Sequence, residues 1–252
     1  MIPFVPAGWP EFDATPEIVQ AAIDGGADAI ELGLPFSDPL ADGTTNQQAY
    51  YESLQQGTTP VTLLDTVRAL RASGVTVPII IMGYVNPMTS YGPDRWVNDA
   101  LEAGVDGLII VDLPPDEAAE LEVPAHKAGL HIIYLVAPTS TDDRLRLVAE
   151  HASGFVYCVS LTGTTGARNE LPEDLPDFIA RVRTYTDLPL AIGFGISERR
   201  HVQQVAALAD AAIIGSAFVR TISETPREGR AAAVREFVER MTGHTAAPVA
   251  AE

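Results

Sequence analysis

Short apolar runs recur along the chain at a spacing of roughly 30 residues, and an amphipathic stretch follows each run. Such runs are typical of strands buried on both faces of a parallel sheet, and the stretches between them are typical of surface helices. The pattern predicts eight strands: Ile2–Pro6, Ala29–Gly33, Pro78–Gly83, Gly107–Val111, His131–Val136, Gly154–Val159, Leu188–Gly193 and Ala211–Gly215. It predicts eight helices: Pro16–Asp24, Pro60–Ala72, Pro93–Ala103, Asp116–Lys127, Asp142–His151, Leu175–Tyr185, Glu198–Ala206 and Pro226–Thr242.

The strict alternation of strands and helices within 252 residues predicts an α/β fold, a single (β/α)8 TIM barrel. We expect one domain over residues 1–243 and a frayed tail over 244–252, because the end of the chain is rich in Ala, Pro and Thr. A Rossmann sheet is the alternative. Its glycine fingerprint is missing, since Glu198 stands where the third glycine after Gly193 and Gly195 is needed.

The chain carries 34 acidic and 16 basic residues, which gives a formal charge of −18. Nucleic-acid binding needs a basic patch that releases counterions, so this balance argues against it. No apolar run approaches the roughly 20 residues of a membrane span, and no basic segment followed by an apolar one marks a secretory signal. We therefore expect a cytoplasmic protein that binds neither nucleic acid nor membrane.

The rare residue types exclude several chemistries. Lys127 is the only lysine and follows a predicted helix, where a cation is favoured without any catalytic role, so Schiff-base chemistry is disfavoured. Cys158 is the only cysteine, which excludes an intrachain disulfide and a thiolate metal cluster. The five histidines are scattered without metal-binding spacing. We expect no metal and no cofactor, and catalysis that depends on carboxylates, hydroxyls and backbone amides.

Two acidic residues near the end of the second predicted strand are candidates for chemistry. Glu31 lies within an apolar strand, where a charge is costly unless it is paired or useful, so a salt bridge to an arginine and catalysis explain it equally well. The next loop, Leu34–Gly43, carries Asp38, which turn formation alone explains, and Asp42. Asp42 follows Glu31 by eleven residues, so the loop can fold over the barrel mouth and bring two carboxylates to one substrate.

Small residues dominate three loops that follow the last three predicted strands, namely Leu161–Arg168, Gly193–Ser197 and Ile213–Ala217. Active sites of barrels lie where the strands end, and the backbone N–H groups of a helix N-terminus favour an anion. Since a short helix can start after the third loop, we predict that these loops together form a phosphate site.

At these residues the sequence resembles the tryptophan synthase alpha chain family. The segment Glu31–Gly43 matches that family's signature almost letter for letter. Further matches follow in chain order, so the resemblance covers nearly the whole sequence: Ile2–Val5, Ala7-Gly8, Gly83–Pro87, Val111–Pro114, Ala137–Thr139, Thr162–Ala167, Gly193–Ser197 and Gly215-Ser216.

The resemblance implies cleavage of indole-3-glycerol phosphate to indole and glyceraldehyde 3-phosphate, a retro-aldol reaction that needs no cofactor. It implies that Glu31 is the general acid and base, and that Asp42 holds the indole N–H. Tyr157 matches an aromatic residue close to Glu31, for which barrel packing is an equally good explanation. The implied partner is a pyridoxal-dependent beta chain in an α2β2 heterotetramer that works in tryptophan biosynthesis.

The resemblance also implies which residues surround the substrate. The indole pocket would be lined by Phe4, Met82, Ile109, Val111, Leu135, Phe194 and Ile213. The phosphate would be held by Gly166, Gly195, Gly215 and Ser216. Thr165 matches a threonine in the loop that closes over the substrate.

One departure from the family concerns the exit of the Asp42 loop. The family usually has Pro-x-Ile-Gln after Asp-Gly, whereas this chain has Thr44-Thr45-Asn46-Gln47. Because this edge borders the surface that meets the beta chain in the family, two alternatives stay open. One is a stand-alone lyase that releases free indole, and the other is a non-catalytic phosphate-sensing subunit, which the two intact carboxylates disfavour.

Overall fold

The computed structural model describes residues 1–159, 171–193 and 195–244. Within these ranges nine strands are present: β1 Ile2–Pro6, β2 Ile30–Gly33, β3 Ile79–Gly83, β4 Gly107–Ile110, β5 His131–Ile133, β6 Leu135–Val136, β7 Val156–Val159, β8 Leu190–Gly193 and β9 Ala211–Ile214. The helices of the same ranges are α1 Thr15–Asp24, α2 Thr44–Gln55, α3 Pro60–Ala72, α4 Val85–Tyr91, α5 Pro93–Ala103, α6 Ala119–Ala128, α7 Asp142–His151, α8 Leu175–Arg183, α9 Arg199–Ala206, α10 Ser216–Ser223 and α11 Arg227–Thr242, with a 3₁₀ turn at Pro115–Glu117.

All strands pair in parallel in the order β5-β4-β3-β2-β1-β9-β8-β7-β6. Only Tyr134 separates β5 from β6, so the sheet ends on the strand on which it began and closes into a barrel. The predicted TIM barrel is confirmed. The strands are almost continuously buried and apolar because helices cover their outer faces.

The predicted fifth strand, His131–Val136, is interrupted at one residue. The Tyr134 side chain is buried, and its hydroxyl donates a hydrogen bond of 2.5 Å to Glu122 Oε2 on α6. His151 Nδ1 lies 2.7 Å from the other oxygen of the same carboxylate. A buried carboxylate needs such partners, and this cluster lies at the residue where the strand changes neighbours.

Helices α2 and α4 were not among the predicted ones. Helix α2 is polar on nearly all sides and buries only Ala49, Tyr50 and Ser53, so it lacks the apolar stripe that marks a helix in a sequence. Helix α4 has seven residues and contains Pro87. The predicted helix Asp116–Lys127 is divided in the structure into the 3₁₀ turn and α6.

A Thr-Pro pair lies at the start of three helices, and the three threonines have different roles. Thr59 caps α3 and accepts a hydrogen bond from Thr62 N. Thr15 lies inside α1, and its hydroxyl accepts from Gly8 N at 2.8 Å, which ties the helix to the end of β1. Pro226, rather than Thr225, occupies the cap position of α11.

No helix in the described ranges is long and apolar enough to cross a membrane. Residues 245–252, which are all but the first residue of the predicted frayed tail, lie outside the described residues. The domain boundary after residue 243 stays a prediction.

Candidate active site

A cavity of about 1030 Å³, including its part open to solvent, lies at the carboxyl ends of the strands. This is the end of a barrel at which active sites are built. Of the predicted site residues it is lined by Phe4, Glu31, Asp42, Met82, Val111, Leu135, Tyr157, Gly195, Ile213, Gly215 and Ser216. The structure therefore brings together residues as far apart in the sequence as Phe4 and Ser216.

Strand register explains why these side chains meet. Residues paired at the same level of a parallel sheet point to the same face, and Phe4 pairs with Glu31 across β1 and β2. On the other side of the barrel Leu135 pairs with Tyr157. These pairs place an acid, two apolar side chains and a phenol on the inner wall.

Glu31 is enclosed, with 1% of its surface exposed. None of the ion pairs among the described residues includes it, so the alternative of a structural salt bridge finds no support there. Its Oε2 is buried without a hydrogen-bond partner in the same part of the chain. Burial, helped by the negative charge of Asp42, raises the pKa of Glu31 to about 8.

Asp42 is held by donors. Helix α2 begins two residues later, and 7% of Asp42 is exposed. The Tyr84 hydroxyl donates to Oδ2 at 2.7 Å, and Asn46 Nδ2 donates to Oδ1 at 3.2 Å. Gln47 Nε2 donates to the Asp42 carbonyl at 2.8 Å, which fixes the backbone. Burial raises the pKa of Asp42, and the hydrogen bonds from Tyr84 and Asn46 oppose that rise.

Tyr157 on β7 lines the cavity and is buried. Its hydroxyl lies directly over the backbone of Gly193 on β8, where a Cβ atom would be only 2.2 Å away from it. Glycine at this position therefore makes room for the phenol. Burial and the charges of Glu31 and Asp42 raise the pKa of Tyr157 well above its usual value, so it remains a neutral phenol.

The apolar wall differs from the predicted indole pocket at one residue. Phe4, Met82, Val111, Leu135 and Ile213 line the cavity, whereas Ile109 does not. Ile109 is fully buried and pairs with Met82 on β3 and Ile133 on β5, so it shares the inward face with Met82 without lining the cavity. Phe194 and Thr165 lie outside the described residues.

Helix α10 begins at one side of the cavity. Gly215 precedes it, Ser216 is its first residue, and both line the cavity together with Gly195. The first backbone N–H groups of a helix have no partners within the helix and carry the positive end of its dipole, which favours an anion. Gly195 has a φ of +76°, a conformation that favours glycine. Gly166, the fourth predicted phosphate residue, lies outside the described residues.

Further residues around the cavity were not predicted as site residues: Ala41, Gly43, Thr44, Thr45, Asn46, Ile196, Ser197 and Arg220. Arg220 is the one basic side chain among the described residues that line the cavity. It follows Ser216 by four positions, and this spacing places both on one face of α10, which is a signal that the sequence does contain. The segment after Asp42 carried no such signal because α2 lacks an apolar stripe.

The arrangement suits acid and base chemistry at the apolar end of the cavity and anion binding at the other end. The two carboxyl groups have different environments, since Glu31 is buried and its Oε2 lacks a partner among the described residues, while the Asp42 side chain accepts two hydrogen bonds. Such a pair separates into a group that exchanges a proton near neutral pH and a group that stays charged.

Comparisons with known proteins agree with this geometry. Residues 1–251 match the family model described as tryptophan synthase alpha chain. The tryptophan synthase alpha chain of a Roseiflexus species is 46% identical over 243 residues, which are 96% of this chain and 93% of that relative. Tryptophan synthase of Saccharomyces cerevisiae is 47% identical over 240 residues, or 95% of this chain, and this chain spans about a third (34%) of that protein's length.

Solved structures show the same fold. Tryptophan synthase of Pyrococcus furiosus, described as an α2β2 complex with mutual activation, superposes with a TM-score of 0.90 at 38% identity and covers 97% of this chain and 98% of that one. Tryptophan synthase subunit alpha of Legionella pneumophila gives a TM-score of 0.85 at 33% identity, covering 96% and 92%. The family model and the close relatives together establish that the chain belongs to the tryptophan synthase alpha chain family.

Proposed function

We propose that Glu31 and Asp42 carry out the reaction of this family in the cavity described above. That reaction is the retro-aldol cleavage of indole-3-glycerol phosphate to indole and glyceraldehyde 3-phosphate, and it makes the chain a carbon–carbon lyase of tryptophan biosynthesis. The observation that supports the assignment most strongly is the carboxyl of Glu31, which is buried, lacks a cation partner among the described residues and faces the same cavity as Asp42.

The proton transfers follow from the pKa of Glu31. With a pKa of about 8, this carboxyl is mainly protonated at neutral pH and can give its proton to C3 of the indole ring. The resulting carboxylate then takes the proton of the hydroxyl on the carbon bonded to C3. As that C–C bond breaks, its electron pair returns to the ring and the hydroxyl carbon becomes the aldehyde. Glu31 ends the cycle protonated, as it began.

Asp42 complements the charge that develops during this step. Protonation of C3 makes the indole nitrogen positive, and a carboxylate that accepts the N–H hydrogen bond stabilises that charge. The hydrogen bonds from Tyr84 and Asn46 favour the ionised form that this role requires. Tyr157 supplies a neutral phenol on the wall close to both carboxyl groups.

The phosphate is assigned to the N-terminus of α10 and to Gly195, with Gly166 completing the site. Arg220 adds a positive charge at this end of a cavity that otherwise holds two carboxyl groups. Phosphates bind well where backbone N–H groups converge at a helix N-terminus. Phe4, Met82, Val111, Leu135 and Ile213 then enclose the indole ring at the apolar end.

The partner of the chain is the tryptophan synthase beta chain in an α2β2 complex, the assembly that the related Pyrococcus furiosus structure describes. Membership of the family favours this function over a stand-alone lyase and over a non-catalytic subunit. We assign the chain to the cytoplasm, where a biosynthetic enzyme of this family would act.

Replacing Glu31 tests the assignment. Glu31→Gln keeps the shape of the side chain but can neither donate nor accept the transferred proton, so turnover of indole-3-glycerol phosphate should fall on the order of 10²- to 10⁴-fold. Binding of indole-3-propyl phosphate, which lacks both glycerol hydroxyls, should fall far less. The exposed Glu236→Gln is the matched control. Near wild-type turnover of the Glu31 variant would remove Glu31 from the mechanism.

A further inference from the structure

Asn46 lies between the two ends of the cavity. It is the third residue of α2 and lines the cavity with Asp42 and Gly215. Its Nδ2 donates to Asp42 Oδ1 at 3.2 Å. On the other side, a Cβ placed on Gly215 would lie 3.7 Å from the same nitrogen. Asn46 thus contacts the carboxylate at the indole end and stands next to the glycine at the phosphate end.

The other polar atom of this amide has no partner among the residues that the structure describes. Asn46 Oδ1 is buried and accepts no hydrogen bond within the described residues. The orientation of the amide follows from chemistry, since a carboxylate can only accept, so the nitrogen must face Asp42 and the oxygen must point away from it. A buried acceptor without a donor costs about 1–3 kcal/mol, and a site that keeps one is expected to use it for a ligand.

The glycerol chain of the substrate carries a hydroxyl that can donate a hydrogen bond to Asn46 Oδ1. Three carbons join the indole ring to the phosphate, and two of them carry hydroxyls. The hydroxyl on the carbon next to the ring gives its proton to Glu31, which leaves the hydroxyl of the middle carbon without an assigned partner. With the indole N–H at Asp42 and the phosphate at Gly215, as proposed above, this carbon lies between the two residues that Asn46 also adjoins.

We propose that Asn46 is a further substrate-binding residue, whose Oδ1 accepts a hydrogen bond from the hydroxyl of the middle glycerol carbon. The inference rests on the proposed function. It makes Asn46 a specificity determinant for the hydroxylated chain over a deoxygenated one. The family's usual pattern has an isoleucine at this position, which cannot accept a hydrogen bond, so the interaction distinguishes this chain from that pattern.

Two ligands separate this role from the contact with Asp42. The affinities of the intact substrate, measured in the Glu31→Gln background to prevent turnover, and of indole-3-propyl phosphate are compared for Asn46, Asn46→Ile and Asn46→Ala. Both ligands carry the indole N–H, so a disturbed Asp42 weakens them equally. The lost hydroxyl contact should weaken the substrate about five- to tenfold more than the analogue.

The outcomes are distinct. An equal loss for both ligands would show that Asn46 acts only by holding Asp42, and no loss for either would show that it does not bind substrate; both results overturn the inference. Asn46→Ala introduces no bulk, so agreement of the two variants excludes a steric artefact. Turnover by the wild-type chain is measured separately. Its absence would reject the proposed function as well, whereas turnover with equal losses rejects the role of Asn46 alone.

Discussion

Glu31 differs from an ordinary glutamate because its carboxyl is buried and its pKa is raised. Nothing among the described residues neutralises it, and burial favours its protonated form. A carboxyl with these properties is useful for proton transfer and costly for folding. The same burial therefore links the function of this residue to the pH dependence of stability.

The stability difference between Glu31→Gln and the wild type should depend on pH. Below the ordinary pKa of 4.5 the carboxyl is protonated in both the folded and the unfolded chain, so its contribution is fully present. As pH rises toward the folded pKa of about 8, the unfolded chain loses the proton while the folded chain retains it, and wild-type stability declines. Glutamine has no such loss.

We therefore expect the melting temperature of Glu31→Gln to match that of the wild type near pH 4.5 and to exceed it by at least about 4 °C near pH 8.5. Differential scanning calorimetry of both proteins across this range measures the effect. The surface variant Glu236→Gln should follow the wild type at every pH. A constant difference between Glu31→Gln and the wild type would mean that the carboxyl titrates as an exposed one does.

At the scale of elements, the start of α10 directly after β9 forms the candidate anion site. The helix starts one residue after Gly215, and Gly215 and Ser216 line the cavity that the strands enclose. Gly215 has room beside it, since an added Cβ would meet Asn46 and Phe4 only at ordinary contact distances of 3.7 and 4.0 Å. The charge of a substituent here should therefore matter more than its size.

This distinction gives a matched pair of variants. Gly215→Asp should weaken binding of glycerol 3-phosphate at least about tenfold, because it places a carboxylate beside the phosphate. Gly215→Ala adds only the Cβ and should change the affinity by less than about threefold. Isothermal titration of both variants decides the matter. Equal losses in the two would indicate that backbone geometry, and not the anion, explains the effect.

The strands and helices could be predicted where packing against the core requires apolar residues at regular intervals along the sequence. The strands and most helices bury an apolar stripe, and α3, α5 and α7 agree with the predicted bounds at both ends. Helix α2 could not be found in this way, because its burial depends on Ala49, Tyr50 and Ser53 alone. The break at Tyr134 depends on a hydrogen bond to Glu122, a contact between separate elements that no local pattern contains.

The candidate site could be predicted in part for the same reason. Alternation along the strands and the family signature led to Glu31, Asp42 and the lining residues, most of which meet in one cavity. Ile109 was predicted to line the cavity and is not among its lining residues, although its partner Met82 is, since alternation gives the face of a strand and not the shape of the cavity. Asn46 was missed as a site residue because only the folded loop brings it to the cavity, whereas the four-residue spacing of Ser216 and Arg220 on α10 is a sequence signal that was not used.

For the whole molecule, the segment Thr44-Thr45-Asn46 is where the sequence departs from the family's usual pattern, and this segment borders the surface that meets the beta chain in the family. Leu40, in the loop that carries Asp42, is 84% exposed, and Tyr51 on α2 is exposed as well. Exposed apolar side chains at the edge of an active site suit a protein partner. A partner that contacts Leu40 would affect the position of Asp42, because both residues belong to the same loop.

We expect the purified chain to cleave indole-3-glycerol phosphate slowly and the beta chain to raise its turnover, since lids often close only when a partner supplies contacts. The test is the lyase rate titrated with the beta chain. Thr165→Val should reduce the stimulation more than it reduces phosphate binding, although Thr165 lies outside the described residues. A rate that is high in isolation and flat on titration would favour a stand-alone lyase.

The break at Tyr134 has a consequence for the local stability of the barrel wall. The ladder between β4 and β5 ends at Ile109 and Ile133, and the next ladder pair of the chain, Leu135 with Tyr157, belongs to the opposite neighbour. Among the described residues no ladder pair joins the chain after Ile109 to the chain after Ile133. We expect local opening to begin here, so native-state hydrogen exchange should be faster for β6 than for β3. Such an opening would widen this side of the barrel mouth while β3 keeps its ladders to β2 and β4.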